Sequence, residues 1–141
     1  HRNYLESRGD SLVNEDLPVS VIMLECNYLK RTNDLYGHGM GDELLRRMAS
    51  VLRQAAGEKL VPMRVGGDEF LLICPHTDRE SAYDVVQGLR RSLAAASDDT
   101  LTVSVSFGVA TAETPVCTMA EIYQEADCNM YQEKREVHAR E

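Results

Sequence analysis

The feature that most constrains the fold is a short turn segment between two apolar runs. Gly66-Gly67-Asp68-Glu69 separates residues 60–65 from residues 70–74, and both runs have the apolar composition of β-strands. Adjacent glycines permit tight backbone turns, so the segment predicts a β-hairpin. Pro62 has no N–H group to donate, which predicts a sheet edge or a bulge in the first arm.

The remaining hydrophobic pattern predicts an α+β fold. Residues 19–24 form an apolar run ending at Glu25, which indicates a buried strand, and residues 101–110 alternate as a half-buried strand does. Apolar residues recur at helical spacing in three segments, at residues 42–56, 78–93 and 118–134. The predicted order β-α-α-β-β-α-β-α is typical of a ferredoxin-like or palm-like domain, with a mostly antiparallel sheet and helices packed on one face.

Composition limits the classes of function. A chain of 141 residues with 43% hydrophobic residues can bury one core, and we expect no second domain. The net charge of -8 argues against nucleic-acid binding, and no apolar run is long enough for a bilayer, so we expect a cytoplasmic domain without membrane contact. Residues 1–17 are polar and predict a linker or helix end from a longer protein, followed by the domain at residues 18–141.

The cysteines predict neither a zinc site nor a disulfide framework. They show no CxxC spacing and no accompanying histidine pair, and most fall in apolar segments. We therefore expect reduced core thiols at Cys26, Cys74, Cys117 and Cys128.

Acidic residues at the hairpin favour a metal ion. Asp68 and Glu69 follow an open glycine backbone, but neighbouring strand residues point to opposite faces, so a third acid is needed for one ion. Glu25 ends the first strand, where it can lie beside the hairpin. We expect Glu25 and Asp68 to share Mg²⁺ or Mn²⁺, with phosphate oxygens completing the shell. The alternative is a turn that carries solvated acids.

Seven separated segments together resemble the GGDEF domain of diguanylate cyclases. The resemblance covers residues 19–138 and includes the predicted hairpin, which it implies to be a GGDEF β-hairpin. The segments are Glu25-Cys26-Asn27-Tyr28-Leu29-Lys30, Asn33-Asp34, Tyr36-Gly37-His38, Gly41-Asp42, Arg64-Val65-Gly66-Gly67-Asp68-Glu69-Phe70, Ser106-Phe107-Gly108-Val109-Ala110, and Ala126-Asp127 through Met130-Tyr131 to Lys134.

The resemblance implies a GTP-binding site. Asn33 and Asp42 would bind the guanine edge, since a carboxylate accepts from two guanine donors but meets an acceptor on adenine. Without the family, the residues favour capping instead, with Asn33 and Asp42 capping turns and the helix start. The implied substrate contacts are Asn33, His38, Asp42, Arg64, Gly66, Gly67 and Lys134, with Lys134 on the terminal phosphates. The implied metal ligands are Glu25, the Cys26 carbonyl, Asp68 and Glu69, with Asp68 and Glu69 also catalytic.

The implied reaction joins two GTP molecules into cyclic di-GMP and releases pyrophosphate. Since one domain binds one GTP, the resemblance implies a homodimer and a sensor or dimerisation segment elsewhere in the full-length protein. Two alternatives stay open. One is a weak or inactive GGDEF domain that binds GTP and regulates an attached or partner domain, and the other is a structural dimerisation domain. Asp42 argues against a cyclase that uses ATP.

The sequence departs from the family pattern at several positions. Glu25 stands where an aspartate is usual, Asn27 replaces the next acidic residue, and His138 after Val137 replaces a basic residue one turn beyond Lys134. We expect metal binding to persist, because Glu25 keeps the charge and only lengthens the side chain. The family's inhibitory product site, Arg-x-x-Asp, is missing at residues 57–60, so no feedback inhibition through that site is expected.

Overall fold

The computed structural model describes residues 15–115 and 118–140. Most of the predicted linker, residues 1–14, and Cys117 lie outside them. The elements are β1 (Val19–Cys26), α1 (Leu29–Tyr36), α2 (His38–Ala56), β2 (Val61–Arg64), β3 (Glu69–Cys74), α3 (Arg79–Ala96), β4 (Val105–Ala112) and α4 (Met119–Ala139). The predicted order is confirmed. None of these helices is both long enough and apolar enough to span a bilayer.

The four strands form one antiparallel sheet in the order β2-β3-β1-β4. β1 is central, and all eight of its residues are buried. The register places Leu24 opposite Phe70 on β3 and opposite Phe107 on β4. Glu25 therefore lies opposite Glu69, at the end of the sheet where the hairpin turns. β2 is an edge strand that contains Pro62, as predicted.

Helices cover both faces of the sheet, so the prediction of helices on one face is wrong. Ile22 and Leu24 of β1 belong to a core shared with α2 and α3, whereas Val21 and Met23 belong to a second core shared with α4. Alternate residues of a strand point to opposite faces, and both sets are apolar here. A continuous apolar run such as β1 is what a strand buried on both faces requires.

Several predicted boundaries move. α2 begins at His38 rather than at Asp42, so Asp42 lies inside the helix and does not cap it. β4 begins at Val105 rather than at residue 101 and is buried on both faces rather than half-buried. α4 continues past Lys134 to Ala139. Thr118 caps the start of α4, since its hydroxyl accepts a hydrogen bond from the Glu121 N–H at 3.2 Å.

Gly108 lets α4 pack directly against β4. A Cβ atom at this position would lie 2.0 Å from the Ala126 carbonyl oxygen and 2.3 Å from the Met130 nitrogen. Both atoms belong to the backbone of α4, so no side-chain rotation could make room. The missing Cβ therefore sets how closely α4 lies on the sheet.

Side chains from α4 cover the outer edge of β4. The Glu133 carboxylate accepts a hydrogen bond from the Phe107 N–H, and Asn129 Nδ2 donates to the Val109 carbonyl at 2.9 Å. Arg90 of α3 pairs with Glu133 and lies 4.5 Å above the Phe107 ring centroid. These contacts occupy backbone groups that an edge strand otherwise presents to solvent.

Candidate active site

The end of β1 and the hairpin meet through backbone hydrogen bonds. The Cys26 N–H donates to the Asp68 carbonyl at 2.8 Å, and the Val65 N–H donates to the Glu69 carbonyl at 3.0 Å. These bonds place the carboxylates of residues 25, 68 and 69 at one end of the sheet. The hairpin predicted from sequence is confirmed, with strands on either side of the glycines.

Arg64 fixes the turn itself. Its guanidinium donates to the Gly66 carbonyl at 3.1 Å and to the Gly67 carbonyl at 2.6 Å, and it lies 5.9 Å from the Phe70 ring centroid. Arg64 is exposed, and so are both glycines. In this structure Arg64 therefore stabilises the hairpin, whereas the sequence predicted a substrate contact.

The acids at this end of the sheet repel one another. Burial raises the pKa of Glu69, and the nearby charges of Glu25, Asp127 and Asp68 raise it further. Lys134 of α4 opposes this effect. Asp127 lies in a segment that carried the family resemblance, but its electrostatic role could not be predicted, because it is distant from Glu69 along the chain.

Lys134 forms an ion pair with Glu25. The ammonium group contacts the Glu25 carboxylate, whose side chain is 8% exposed, and this hydrogen bond is the main cause that raises the pKa of Lys134. The Cys26 thiol beside them is buried, which raises its pKa to about 12 with help from Asp68 and Glu25. The sequence predicted Lys134 on phosphates and did not predict this pair.

The donor set suits a hard divalent cation. Within residues 15–115 and 118–140, no three His, Cys, Asp or Glu side chains already stand in ligand geometry. The chemistry nevertheless fits: the Glu25 and Asp68 carboxylates and the Cys26 carbonyl are oxygen donors of the kind that Mg²⁺ and Mn²⁺ prefer. A bound cation would relieve the repulsion between Glu69 and the neighbouring acids.

A cavity of about 640 Å³ opens beside these acids. Its lining includes Glu25, Asp68, Lys134 and Lys30, the last from the first turn of α1. α1 has no side-chain N-cap, so its first N–H groups receive no hydrogen bond from a capping side chain. Cationic side chains and a helix N-terminus together favour an anion such as a phosphate group.

Asn33 carries an unpaired buried acceptor. Its side-chain oxygen is buried without a hydrogen-bond partner in the described structure. Gly41 packs against it so closely that a Cβ at position 41 would lie 1.8 Å from that oxygen. A buried polar atom without a partner is unfavourable, and a ligand donor is one way to satisfy it.

Asp42 lies apart from the acidic cluster. It is exposed on α2 and lines a second cavity of about 600 Å³, together with Arg46, Arg64 and Phe70. His38 is exposed at the first position of α2. The structure thus groups Glu25, Asp68 and Lys134 around one cavity and places Asp42 at another.

Comparison with known sequences identifies the family. A sequence model described as "Diguanylate cyclase, GGDEF domain" matches residues 2–140. The response regulator PleD of Caulobacter vibrioides is 32% identical over 146 residues, which is 95% of this chain and 32% of PleD. Diguanylate cyclase DgcM of Escherichia coli is 33% identical over 118 residues, 83% of this chain and 28% of DgcM. The chain spans about a third of the length of these relatives.

Comparison with solved structures gives the same fold. The crystal structure of diguanylate cyclase SiaD from Pseudomonas aeruginosa, in complex with its activator SiaC, matches with a TM-score of 0.84 and 27% identity. The match covers 96% of this chain and 54% of the SiaD chain. The sequence match, the antiparallel sheet flanked by helices and the hairpin all agree, and the chain belongs to the GGDEF domain family of diguanylate cyclases.

Proposed function

We propose that this chain condenses two GTP molecules into cyclic di-GMP, with release of pyrophosphate, in a metal-dependent reaction of a homodimer. The observation that carries the proposal is the convergence of Glu25, Asp68 and Lys134 around one cavity at the N-terminus of α1. DgcM and SiaD are named diguanylate cyclases, which supports the same reaction class. The catalytic domain would comprise residues 18–141.

The phosphate end of GTP would occupy the cavity beside α1. Glu25, Asp68 and the Cys26 carbonyl would hold Mg²⁺ or Mn²⁺, with Glu69 close to them. The ion supplies positive charge against the phosphate oxygens. Lys134 would exchange its contact with Glu25 for one with a phosphate. Its ammonium group would bind the phosphate as a point charge.

Glu69 is the proposed proton acceptor for the attacking 3′-hydroxyl. Glu69 pairs with Glu25 across the sheet, so its carboxylate would lie beside the metal and within reach of the attacking hydroxyl. Asp68 would remain a metal ligand. Gly66 and Gly67 leave the turn open, because a Cβ at Gly67 would meet no atom within 4 Å and one at Gly66 only the Glu69 side chain.

The guanine base would be read from α1 and α2. The unpaired Asn33 oxygen is an acceptor for a guanine N–H group, and the Asp42 carboxylate accepts two donors at once. His38 lies at the start of α2, where it would reach the nucleotide. An Asp42→Ser variant would lose preference for GTP over ATP, which competition between the two nucleotides would measure.

Each domain binds one GTP, so two copies must face one another with their substrates head to tail. We infer a cytoplasmic setting, and a sensor or dimerisation segment in the full-length protein would hold the copies together. The second candidate is a GTP-binding domain that regulates a neighbour without making product. The Lys134 contact with Glu25 favours it, because a lysine at that carboxylate competes with a metal ion.

Activity against protein concentration tests the proposal. The purified domain is incubated with GTP and Mg²⁺ or Mn²⁺ at low and high protein concentration, and chromatography detects cyclic di-GMP. An Asp68→Ala/Glu69→Ala protein is the control. Product that rises faster than linearly with protein concentration and disappears in the control supports a dimeric cyclase. GTP binding without product at high concentration supports the regulatory domain instead.

A further inference from the structure

A buried polar network anchors the end of β1 to β4. The Asn27 side chain is 2% exposed, and its Nδ2 atom donates to the Ser104 and Ser106 hydroxyls, each at 3.1 Å. The Ser106 hydroxyl also lies 3.2 Å from Asn27 Oδ1. The Asn27 backbone N–H donates to the Ser104 carbonyl at 2.8 Å. All of the Asn27 amide atoms therefore have partners on β4 or immediately before it.

The residue after Asn27 adopts an unfavourable backbone conformation. Tyr28 has φ 66° and ψ 22°, in the left-handed region that bulky side chains rarely adopt. Such conformations persist only where the surrounding structure imposes them, and they concentrate at functional sites. Tyr28 forms the whole link between Asn27 and the start of α1 at Leu29.

The chain is held from both sides at this point. The Cys26 N–H donates to the Asp68 carbonyl of the hairpin, and the next residue, Asn27, bonds to Ser104 on the opposite side of β1. The Cys26 carbonyl lies between these two anchors. Its direction, and the direction in which α1 leaves the sheet, therefore depend on both.

We infer that Asn27 is a positioning residue for nucleotide binding. It holds the left-handed turn at Tyr28, and through that turn it orients the Cys26 carbonyl and the N-terminal N–H groups of α1 toward the triphosphate. The inference rests on the proposed function, because the ligand is the GTP–metal complex. Partners of this kind, which orient a metal ligand without touching the metal, typically change metal affinity or activity about 10- to 100-fold when removed.

A purely structural role makes a different prediction, and Ser20 provides the matched control. Ser20 lies at the other end of β1, is 0% exposed, and contacts the Thr77 carbonyl at 2.8 Å and the Thr111 hydroxyl at 2.7 Å. Ser20→Ala removes a buried polar group inside β1, and Asn27→Ala removes one directly after it. Both should lower the unfolding temperature, but only Asn27→Ala disturbs the turn.

The test measures binding and exchange in folded proteins. Calorimetry gives the affinity for a non-reactive GTP analogue with Mg²⁺, and hydrogen exchange of the nucleotide-free proteins follows the amides of residues 27–32. We expect Asn27→Ala to weaken binding about tenfold and to speed exchange at these amides. Ser20→Ala should change the affinity less than about twofold. Asn27→Asp, which can accept from both serine hydroxyls, should recover most of the loss.

Three results would overturn the inference: unchanged affinity in Asn27→Ala, an equal loss in Ser20→Ala, or an Asn27→Asp protein as weak as Asn27→Ala. Its failure is distinguishable from failure of the proposed function. An unaltered protein that binds no analogue even with Mg²⁺ rejects both. Normal binding and product formation in Asn27→Ala reject the positioning role alone.

Discussion

Replacing Gly108 with alanine tests how closely α4 must lie on the sheet. The added Cβ would lie 2.0 Å from the Ala126 carbonyl oxygen, whereas ordinary contact begins near 3.4 Å. The helix would therefore have to retreat by about 1.4 Å, because packed interiors leave no spare room. The retreat would separate Met130 and its neighbours from the second core.

The expected loss of stability is large because the new methyl group meets backbone atoms of α4. Adding a methyl group to a packed core typically costs about 1–3 kcal/mol, and the upper value applies where backbone rather than side chains must move. We expect Gly108→Ala to lower the free energy of unfolding by about 3 kcal/mol or more. For a domain of this size, that corresponds to a fall of roughly 10 °C in the unfolding temperature.

Gly88→Ala is the control, because the same substitution there should stabilise. Gly88 lies inside α3, and its new Cβ would approach only the Arg91 guanidinium, at 3.8 Å. Alanine is favoured over glycine in a helix by about 0.8–1 kcal/mol. Urea unfolding followed by circular dichroism measures both proteins. A Gly108→Ala protein within about 1 kcal/mol of the unaltered protein would refute the reasoning.

Three further outcomes follow from single contacts. Lys134→Met should tighten the binding of Mn²⁺ without nucleotide about fivefold, the equivalent of about 1 kcal/mol, because Glu25 loses its competing cation. Electron paramagnetic resonance measures the Mn²⁺ affinity, and weaker binding in the variant would contradict the prediction. A hydrogen bond from the Ser81 backbone lowers the pKa of the Asp78 carboxyl group in the folded protein. The ionised carboxylate therefore stabilises the fold above the usual pKa of an aspartate, and this stabilisation is lost as pH falls through the lowered pKa. The stability gap between the unaltered protein and Asp78→Ala should therefore narrow below about pH 4, as acid titration would show. Cys128 is exposed, so the expectation of a core thiol there is wrong, whereas burial raises the pKa of Cys74 to about 12. Iodoacetamide should therefore label Cys128 but reach Cys74 only after unfolding, as mass spectrometry would detect.

Local patterns predicted most of the fold. The hairpin could be read directly, because the glycines and their apolar flanks determine a turn within a few residues. The element order was also correct. The distribution of helices was not, because the apolar residues of β1 fit a sheet covered on either or both faces. The start of α2 at His38 was missed because Gly37, with φ 89°, begins the helix without a capping side chain.

The sequence predicted which residue types form the site, but it did not predict which of their side chains touch. The Glu25 and Asp68 carboxylates could be proposed from their positions at strand ends. The pair between Lys134 and Glu25 joins residues far apart in sequence, and no local pattern indicates it. The unpaired oxygen of Asn33 likewise depends on how α1 packs against Gly41 of α2. Such contacts arise only when helices assemble on the sheet.

Both edges of the sheet are unsuited to adding another strand. β2 is only four residues long and contains Pro62, and the N–H of Phe107 on β4 is already bonded to Glu133. Strand addition at these two edges would therefore not join the described sheets of two copies into one. Among the described residues, a pairing of two copies would use helix surfaces or the hairpin end rather than a strand edge. The two edges thereby protect the described sheet from edge-to-edge aggregation.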